Sequence, residues 1–209
     1  LASSAVGFRN KAASENASAI GYGNNANALA ASAVGYNNTA GGVGSSTIGY
    51  NNTATNENAS AFGYGNTAGG LASSAFGFSN TASGDNANAF GYNNIASGSK
   101  SNVFGTGNTV SGSSSTAVGT ANEVAAENST AIGNNNTISS GAENSAALGN
   151  NISISLKDSV ALGNNSTATA INSVTGNSSY TKWAGVSDVV GVVSVGSSGA
   201  TRQIQNVAA

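Results

Sequence analysis

The sequence contains no cysteine, proline, methionine or histidine, and it has a single tryptophan among its 209 residues. Without cysteine the chain can form no disulfide, thiolate nucleophile or zinc–thiolate centre, and this absence is compatible with an exported protein. Without histidine it also lacks the commonest general base. Because most nucleophile–base sets and many metal sites need one of these two residue types, we predict that the chain is not an enzyme and holds no metal or cofactor.

Charge is scarce as well. The chain has 6 basic and 8 acidic residues, a formal net charge of −2, which predicts neither a nucleic-acid partner nor attraction to an anionic membrane. No apolar run reaches the roughly 20 residues of a membrane-spanning helix, so we predict no membrane contact. The chain begins inside a repeat, with neither the basic start nor the apolar core of a signal peptide, and we expect it to be a fragment.

Glycine, alanine, serine and asparagine are abundant, a composition typical of disordered chains unless it is strictly periodic. Here a glycine recurs every 14 residues, and we number repeat positions from it, so that −1 precedes the glycine and +1 follows it. The repeat glycines are Gly7, Gly21, Gly35, Gly49, Gly63, Gly77, Gly91, Gly105, Gly119, Gly133, Gly149 and Gly163. The step before Gly149 is 16 residues, which indicates a two-residue insertion in one coil.

Other positions form columns of their own. Position −2 is mostly alanine, +3 is asparagine from Asn10 to Asn136, and +5 is alanine, valine or isoleucine. Small and bulky residues alternate around the glycine with the period of a β-strand, and the glycine and asparagine columns are predicted to mark the bends. Fourteen residues accommodate two short strands and two turns but no helix. Twelve repeats then predict a parallel β-solenoid about 55 to 60 Å long.

Two apolar columns flank the glycine. Position −1 is apolar in every repeat: Val6, Ile20, Val34, Ile48, Phe62, Phe76, Phe90, Phe104, Val118, Ile132, Leu148 and Leu162. Position +1 is aromatic in seven: Phe8, Tyr22, Tyr36, Tyr50, Tyr64, Phe78 and Tyr92. A thin coil with small residues inside cannot enclose both sets, so we expect an apolar strip that further copies of the chain cover. The sequence leaves open which apolar column faces the interior and which faces the partner chain. The residues alone leave a dimer and a trimer open. A sugar-stacking surface is the alternative role for the aromatic column.

A short motif identifies a family. Residues 158–163 read Asp-Ser-Val-Ala-Leu-Gly, and residues 16–21 and 58–63 are looser copies. This motif resembles the Asn-Ser-Val-Ala-Ile-Gly repeat of trimeric autotransporter adhesin heads, the Yersinia adhesin-like family of Gram-negative surface proteins, and is similar to Moraxella ubiquitous surface protein-type adhesins. Over residues 1–170 the resemblance implies an all-β, single-stranded, left-handed parallel β-roll of 14-residue coils that assembles as a homotrimer.

The C-terminal residues resemble a second part of that family. Residues 193–209 match the neck pattern V-S-V-G-x-x-G-x-x-R-Q-I-x-N-V-A-A, which in the family leads to a coiled-coil stalk. The repeat is lost over residues 171–192, where we predict an inserted transition loop that packs against adjacent subunits. We expect the phase to return at Gly196 and Arg202 to pair within the neck.

The resemblance also implies a function. It predicts an adhesin head that attaches bacteria to host cells by multivalent binding to extracellular matrix proteins (fibronectin, laminin or collagen) or to cell-surface receptors. It places the chain on the bacterial surface, anchored in the outer membrane through a C-terminal region absent from this sequence. The alternative is a passive structural spacer that projects binding sites located elsewhere on the fibre.

Individual binding residues are poorly marked in the sequence. Lys100, Lys182 and Trp183 are weak candidates for an adhesive surface. Acidic residues recur at −6, where single carboxylates two or three coils apart are too distant to share a calcium ion, so we interpret them as a solubilising edge. A threonine column at +4 is interrupted too often for an ice-binding face. Asn-x-Ser/Thr triplets follow from the composition and by themselves predict nothing about glycosylation.

Overall fold

A computed structural model describes residues 2–170 and 190–204, and over these residues the chain folds into strands and turns without a helix. None of this part of the chain is therefore a helix that could cross a membrane. Each coil contributes one long strand, which in most coils runs from −3 to +1, and one two-residue strand at +4 and +5. The prediction of two strands and two turns per coil is confirmed.

The strands are numbered in chain order. The first strand of each coil is β1 (Ser4–Phe8), β3 (Ser18–Tyr22), β5 (Ser32–Tyr36), β7 (Ser46–Tyr50), β9 (Ser60–Tyr64), β11 (Ser74–Phe78), β13 (Asn88–Tyr92), β15 (Asn102–Thr106), β17 (Thr116–Thr120), β19 (Thr130–Asn134), β21 (Ala146–Asn150), β23 (Val160–Leu162) and β25 (Val193–Ser194). The second is β2 (Lys11–Ala12), β4 (Asn25–Ala26), β6 (Thr39–Ala40), β8 (Thr53–Ala54), β10 (Thr67–Ala68), β12 (Thr81–Ala82), β14 (Ile95–Ala96), β16 (Thr109–Val110), β18 (Glu123–Val124), β20 (Thr137–Ile138), β22 (Ser153–Ile154) and β24 (Thr167–Ala168). β26 (Gly196–Ser197) and β27 (Ala200–Thr201) form an antiparallel pair.

The two sets of strands form two parallel sheets, of 13 and 12 strands, in which each strand pairs with its equivalents in the coils before and after it. The pairing joins equivalent repeat positions, so that Ala19 lies beside Ala33 and Gly21 beside Gly35. The predicted parallel β-solenoid is thereby confirmed. Its left hand stays a prediction.

The interior is narrow and consists of small side chains. Ala19 at −2 and Ala26 at +5 are fully buried, and the equivalent residues of nearly all other coils are buried too. From the eighth to the eleventh coil position +5 carries a larger side chain, as in Val110 and Ile138, both with no exposed surface. Successive residues of a strand face opposite sides. Because the −2 side chain points inward, the −1 and +1 side chains of the same strand point outward.

Asparagine at +3 forms a continuous buried ladder. The backbone N–H and the side-chain Nδ2 of Asn38 both donate to Oδ1 of Asn24 in the preceding coil, each at 3.0 Å. Nδ2 of Asn38 also donates to the carbonyl oxygens of Val34, at 3.0 Å, and Gly49, at 2.7 Å. A buried amide needs such partners, because a donor or acceptor left without one costs about 1–3 kcal/mol. The ladder ends at Asn136, whose Oδ1 accepts from the backbone N–H of Ile152.

The predicted bends are confirmed in part: the asparagine at +3 lies in the connection between the two strands, but the repeat glycine does not mark a bend. Gly21 lies inside β3, not at a bend, with φ +119°. A Cβ at Gly21 would collide with the carbonyl oxygen of Gly35, so glycine is required there for the close approach of adjacent coils. The chain bends instead at two corners, positions −5 and +2, where φ lies between 51° and 66° in residues such as Asn16 and Asn37.

The two-residue insertion is confined to one corner. Between β20 and β21 the chain has seven residues, 139–145, where the other coils have five. Gly133 still pairs with Gly149 and Ile138 with Ile154, so both sheets continue in register. The extra residues protrude, and a Cβ at Gly141 would meet no atom within 4 Å.

The C-terminal residues rejoin the solenoid after the segment that the structure leaves undescribed. Val193 pairs with Val160 and Ser194 with Ala161, which aligns Gly196 with Gly163, and the predicted return of the phase is confirmed. Most of the predicted 171–192 loop and residues 205–209 of the neck lie outside the described residues.

Arg202 was expected to pair within the neck, and among the described residues it contacts the last repeat coil instead. Its Nη1 donates to the Ser166 hydroxyl at 3.2 Å and its Nη2 to the carbonyl oxygen of Asn164. The guanidinium carbon lies 3.3 Å from the place a Cβ of Gly163 would take. The guanidinium group therefore supplies hydrogen-bond donors to the last repeat coil.

Candidate interaction surface

The outward face of the long-strand sheet carries both apolar columns. We call positions −1 and +1 together the apolar strip. At −1, Ile20 is 42% exposed and Ile48 45% exposed, and at +1 Tyr64 is 47% exposed. The strip follows from the strand period: once alanine at −2 and glycine at 0 face inward, their neighbours must face outward. The sequence did not decide which of the two apolar columns faces solvent. In the structure both columns lie on the outer face.

The aromatic residues of the strip form two ladders. Six pairs of neighbouring +1 rings, from Phe8 to Tyr92, are stacked with centroids 4.8 to 5.3 Å apart. A shorter ladder at −1 runs from Phe62 to Phe104, with centroids 4.7 to 5.3 Å apart. In a stack the ring faces cover one another and only the edges are free. This arrangement disfavours sugar stacking, which uses ring faces, and favours packing against another surface.

The strip changes character along the rod. After Tyr92, position +1 is polar: Thr106, Thr120, Asn134, Asn150 and Asn164. The first four of these coils have the larger Val and Ile side chains at the buried +5 position, and the last has Ala168. The first seven coils are thus narrow inside and aromatic outside, whereas most later coils are wider inside and less apolar outside.

The acidic column at −6 is solvent-exposed in most coils, as in Glu15, Glu57 and Glu127. Asp85 is also exposed, and its Oδ1 accepts from the backbone N–H of Leu71 at 2.9 Å. Nowhere in residues 2–170 and 190–204 do three or more His, Cys, Asp or Glu side chains come together in a group that could hold a metal ion. The column is consistent with a solubilising edge.

Of the three candidate binding residues, only Lys100 lies within the described residues. Lys100 is exposed at a −5 corner, with φ 59°, and its backbone N–H donates to the carbonyl oxygen of Asp85 at 2.8 Å. It therefore lies beside the apolar strip and not on it. Lys182 and Trp183 lie outside the described residues, and their role stays a prediction.

Comparison with known protein families shows to which family the chain belongs. Residues 2–24, 12–38, 40–66, 68–94, 111–136 and 157–174 match the family model described as YadA head domain repeat (2 copies), and these stretches together cover more than half of the chain. The chain belongs to the YadA head family. A YadA head is an adhesin-type, surface-exposed part of an autotransporter, and its solenoid is a structural fold that is not typical of enzymes. No curated protein matches the chain.

The family match also agrees with the geometry coil by coil. The matched stretch 12–38 contains β3 and β5, and the stretch 68–94 contains β11 and β13, so each spans two repeat glycines and their buried alanines. The sequence alone could not distinguish the glycines at position 0 from the residues at the corners, positions −5 and +2. Asn, Gly and Ala recur at the corner positions, but their role in bending the chain becomes apparent only when the coils are stacked.

Proposed function

We propose that this YadA head is an adhesin that assembles as a homotrimer through the apolar strip and attaches bacteria to host cells. Its ligands are extracellular matrix proteins such as fibronectin, laminin or collagen, or host cell-surface receptors. The observation that carries the proposal is the strip itself, a continuous apolar surface along the rod. The family membership supports three copies rather than two.

The size of the strip supports assembly. Many of its side chains are 37–58% exposed, and at 150–250 Å² for an aromatic residue the whole strip presents on the order of 1,000 Å². Monomeric proteins rarely expose contiguous apolar patches beyond roughly 300–600 Å², whereas a stable interface needs about 800 Å² per partner. The exposed area therefore fits an interface better than a free surface.

Assembly is tested by sedimentation of the purified chain. We expect a species of three times the chain mass of 20.0 kDa. Replacing Phe62 and Phe76 by Asp places two charges on the strip and should yield monomers. The matched control replaces Thr67 and Thr81, which point outward on the short strands of the same two coils, and should leave the trimer intact. A wild-type chain that sediments as a folded monomer contradicts the proposal.

Adhesion is tested separately with immobilised fibronectin, laminin and collagen and with host cells. Saturable binding by the wild-type trimer, weakened when the chain is monomeric because three copies of each site raise avidity, supports an adhesin. If the trimer forms but binds to none of these surfaces, the chain is the passive spacer, and the binding sites lie elsewhere on the fibre.

We further propose that residues 193–209 are the neck that leads to a coiled-coil stalk, and that a region C-terminal to this chain anchors it in the outer membrane. The return of Val193 and Ser194 to the long-strand sheet supports this, because the residues that match the neck pattern begin where the chain pairs again with the last repeat coil of the head. A longer chain that includes such a stalk should show a stronger helical circular dichroism signal than this chain, whose residues 2–170 and 190–204 contain no helix.

A further inference from the structure

Each coil turns at its two corners, positions −5 and +2, and asparagine is the commonest residue there. The corner asparagines are Asn16, Asn37, Asn51, Asn58, Asn86, Asn93, Asn128, Asn135, Asn144, Asn151 and Asn165. Asparagine tolerates the left-handed backbone conformation better than most residues, which explains its frequency at these bends. All eleven are exposed to solvent.

Eight of these asparagines begin an Asn-x-Ser/Thr triplet: Asn16, Asn37, Asn51, Asn58, Asn128, Asn135, Asn151 and Asn165. In the triplet at Asn37, the asparagine is exposed, Asn38 is fully buried, and Thr39 is half-buried on the outer side. The same order of exposed, buried and half-buried residues holds in all eight triplets. The asparagine and the Ser/Thr of each triplet therefore lie together on the outside of the solenoid, and the residue between them is buried.

The buried asparagines of the ladder never begin such a triplet. The residue two positions after a ladder asparagine is at +5, which faces the interior and is apolar, as Ala40 is after Asn38. Within residues 2–170 and 190–204 one further triplet begins at Asn164. It is also different, because the hydroxyl of its Ser166 is buried and donates to the carbonyl oxygen of Leu162 at 2.6 Å. The triplets with an accessible hydroxyl are thus confined to the corners in the described residues.

We propose that the eight corner triplets are acceptor sites for N-linked glycosylation by a hexose. In the reaction Nδ2 of the asparagine forms a bond to C1 of a sugar carried by a nucleoside diphosphate. The bond from C1 to the diphosphate oxygen breaks, the nucleoside diphosphate leaves with the electron pair, and a base of the transferase takes one amide proton. The same asparagine then both adopts the left-handed conformation of the corner and accepts the sugar. N-x-[ST] is the acceptor pattern for this chemistry.

The fold accommodates a sugar at these positions. Nδ2 of Asn37 donates to Oδ1 of Asn51 at 3.2 Å, and Nδ2 of Asn135 donates to Oδ1 of Asn151 at 2.9 Å. An amide nitrogen has two protons, so a substituted one keeps a donor for this bond. A sugar on a ladder asparagine would instead have to enter the solenoid interior. The glycans would form two rows at the edges of the long-strand sheet.

The test uses the folded chain, UDP-glucose and a purified soluble N-glycosyltransferase specific for Asn-x-Ser/Thr, followed by intact-mass and peptide mass spectrometry. We expect hexoses at the eight corners and none at Asn86 or Asn93, which occupy corners without the hydroxyl residue. Protein isolated from the cells that produce it should carry sugar at the same corners. Failure of the folded chain to accept hexose while a triplet peptide is modified in the same reaction, or native protein without sugar at any of the eight, overturns the proposal.

A pair of variants tests the role of the hydroxyl. Thr39→Ala removes the hydroxyl that follows Asn37 and should abolish one hexose, at that asparagine alone. Thr67→Ala changes the equivalent position of a coil whose corner is Gly65, and should leave every hexose in place. Both variants should keep the wild-type circular dichroism spectrum. Modification of Asn164 to the same extent as Asn165 would show that hydroxyl accessibility does not select the sites, and would also contradict the proposal.

Discussion

At the scale of single residues, glycine and asparagine each occur in this chain for two different physical reasons. Repeat glycines such as Gly77 remove a Cβ so that neighbouring coils can approach, whereas corner glycines such as Gly107 adopt a left-handed bend. Ladder asparagines such as Asn66 satisfy the buried backbone, whereas corner asparagines such as Asn93 stabilise turns. Substitutions at the two kinds of site should therefore have different effects.

For glycine, we predict that Gly77→Ala disrupts the solenoid and Gly107→Ala does not. A Cβ at Gly77 would collide with the carbonyl oxygen of Gly91, and its φ of +118° is itself unfavourable for alanine, so the free energy of unfolding should fall by about 3 kcal/mol or more. At Gly107 a Cβ meets no atom within 4 Å, and Ala121 already occupies the next +2 corner, so the loss should stay below about 1 kcal/mol. Thermal unfolding at fixed protein concentration measures both, and equal effects would contradict the assignment.

For asparagine, Asn66→Ala should cost about 2–4 kcal/mol, because it leaves the backbone N–H of Asn80 and the carbonyl oxygens of Phe62 and Gly77 without their partner. Asn93→Ala, at an exposed corner, should cost less than about 1 kcal/mol. Hydrogen exchange locates the effect, since the Asn80 amide should lose protection in the first variant only. Unchanged protection there would show that the ladder bond contributes little.

At the scale of the elements, the coil is defined by its two strands, and the corners tolerate changes in length. β19 and β21 pair in register although 16 residues separate their glycines, because the cost of a slightly longer loop is small compared with losing a rung. The two strands per coil, the alternation and this insertion were predictable from the period alone. The corner positions were not, because glycine and asparagine occur both at the bends and away from them, and local preference cannot distinguish the two.

Deleting Ser140 and Gly141 should therefore be tolerated. The deletion restores the 14-residue step and joins Ser139 to the buried Ala142, so thermal stability should change by less than about 1 kcal/mol. Deleting two residues from the long strand of the same coil, Ala131 and Ile132, is the control and should abolish cooperative unfolding. A large loss of stability from the first deletion would mean that the protruding corner has a packing role.

At the scale of the whole molecule, the rod is a stack of coils in which each contacts only its neighbours, so no coil within residues 2–170 can cover the apolar strip. Seven aromatic residues at +1 extend the strip over the first part of the rod, and threonine replaces them in the coils of Gly105 and Gly119. The solenoid fold therefore accommodates either an aromatic residue or threonine at +1. The aromatic rings are therefore expected to contribute to contacts between molecules more than to the fold of one molecule.

Replacing Tyr50 and Tyr64 by Thr tests this expectation. The variant should keep the circular dichroism spectrum of the solenoid, while subunits of the proposed trimer should exchange at least tenfold faster because apolar area is lost from the interface. Phenylalanine at both positions, as found naturally at Phe78, should exchange at the wild-type rate. Subunit exchange is followed by mixing differently labelled chains, and an unchanged rate in the threonine variant would exclude the aromatic column from the interface.

The sequence by itself determined the coil length, the two strands per coil, the buried small residues and the family, because stacking at a constant period converts each repeat position into a column whose chemistry can be read directly. Only the tertiary structure decided why glycine occupies the middle of the long strand, where the chain bends, and which asparagines are buried. Those properties depend on the distance between one coil and the next, and residues 14 positions apart acquire that distance only when the coils stack.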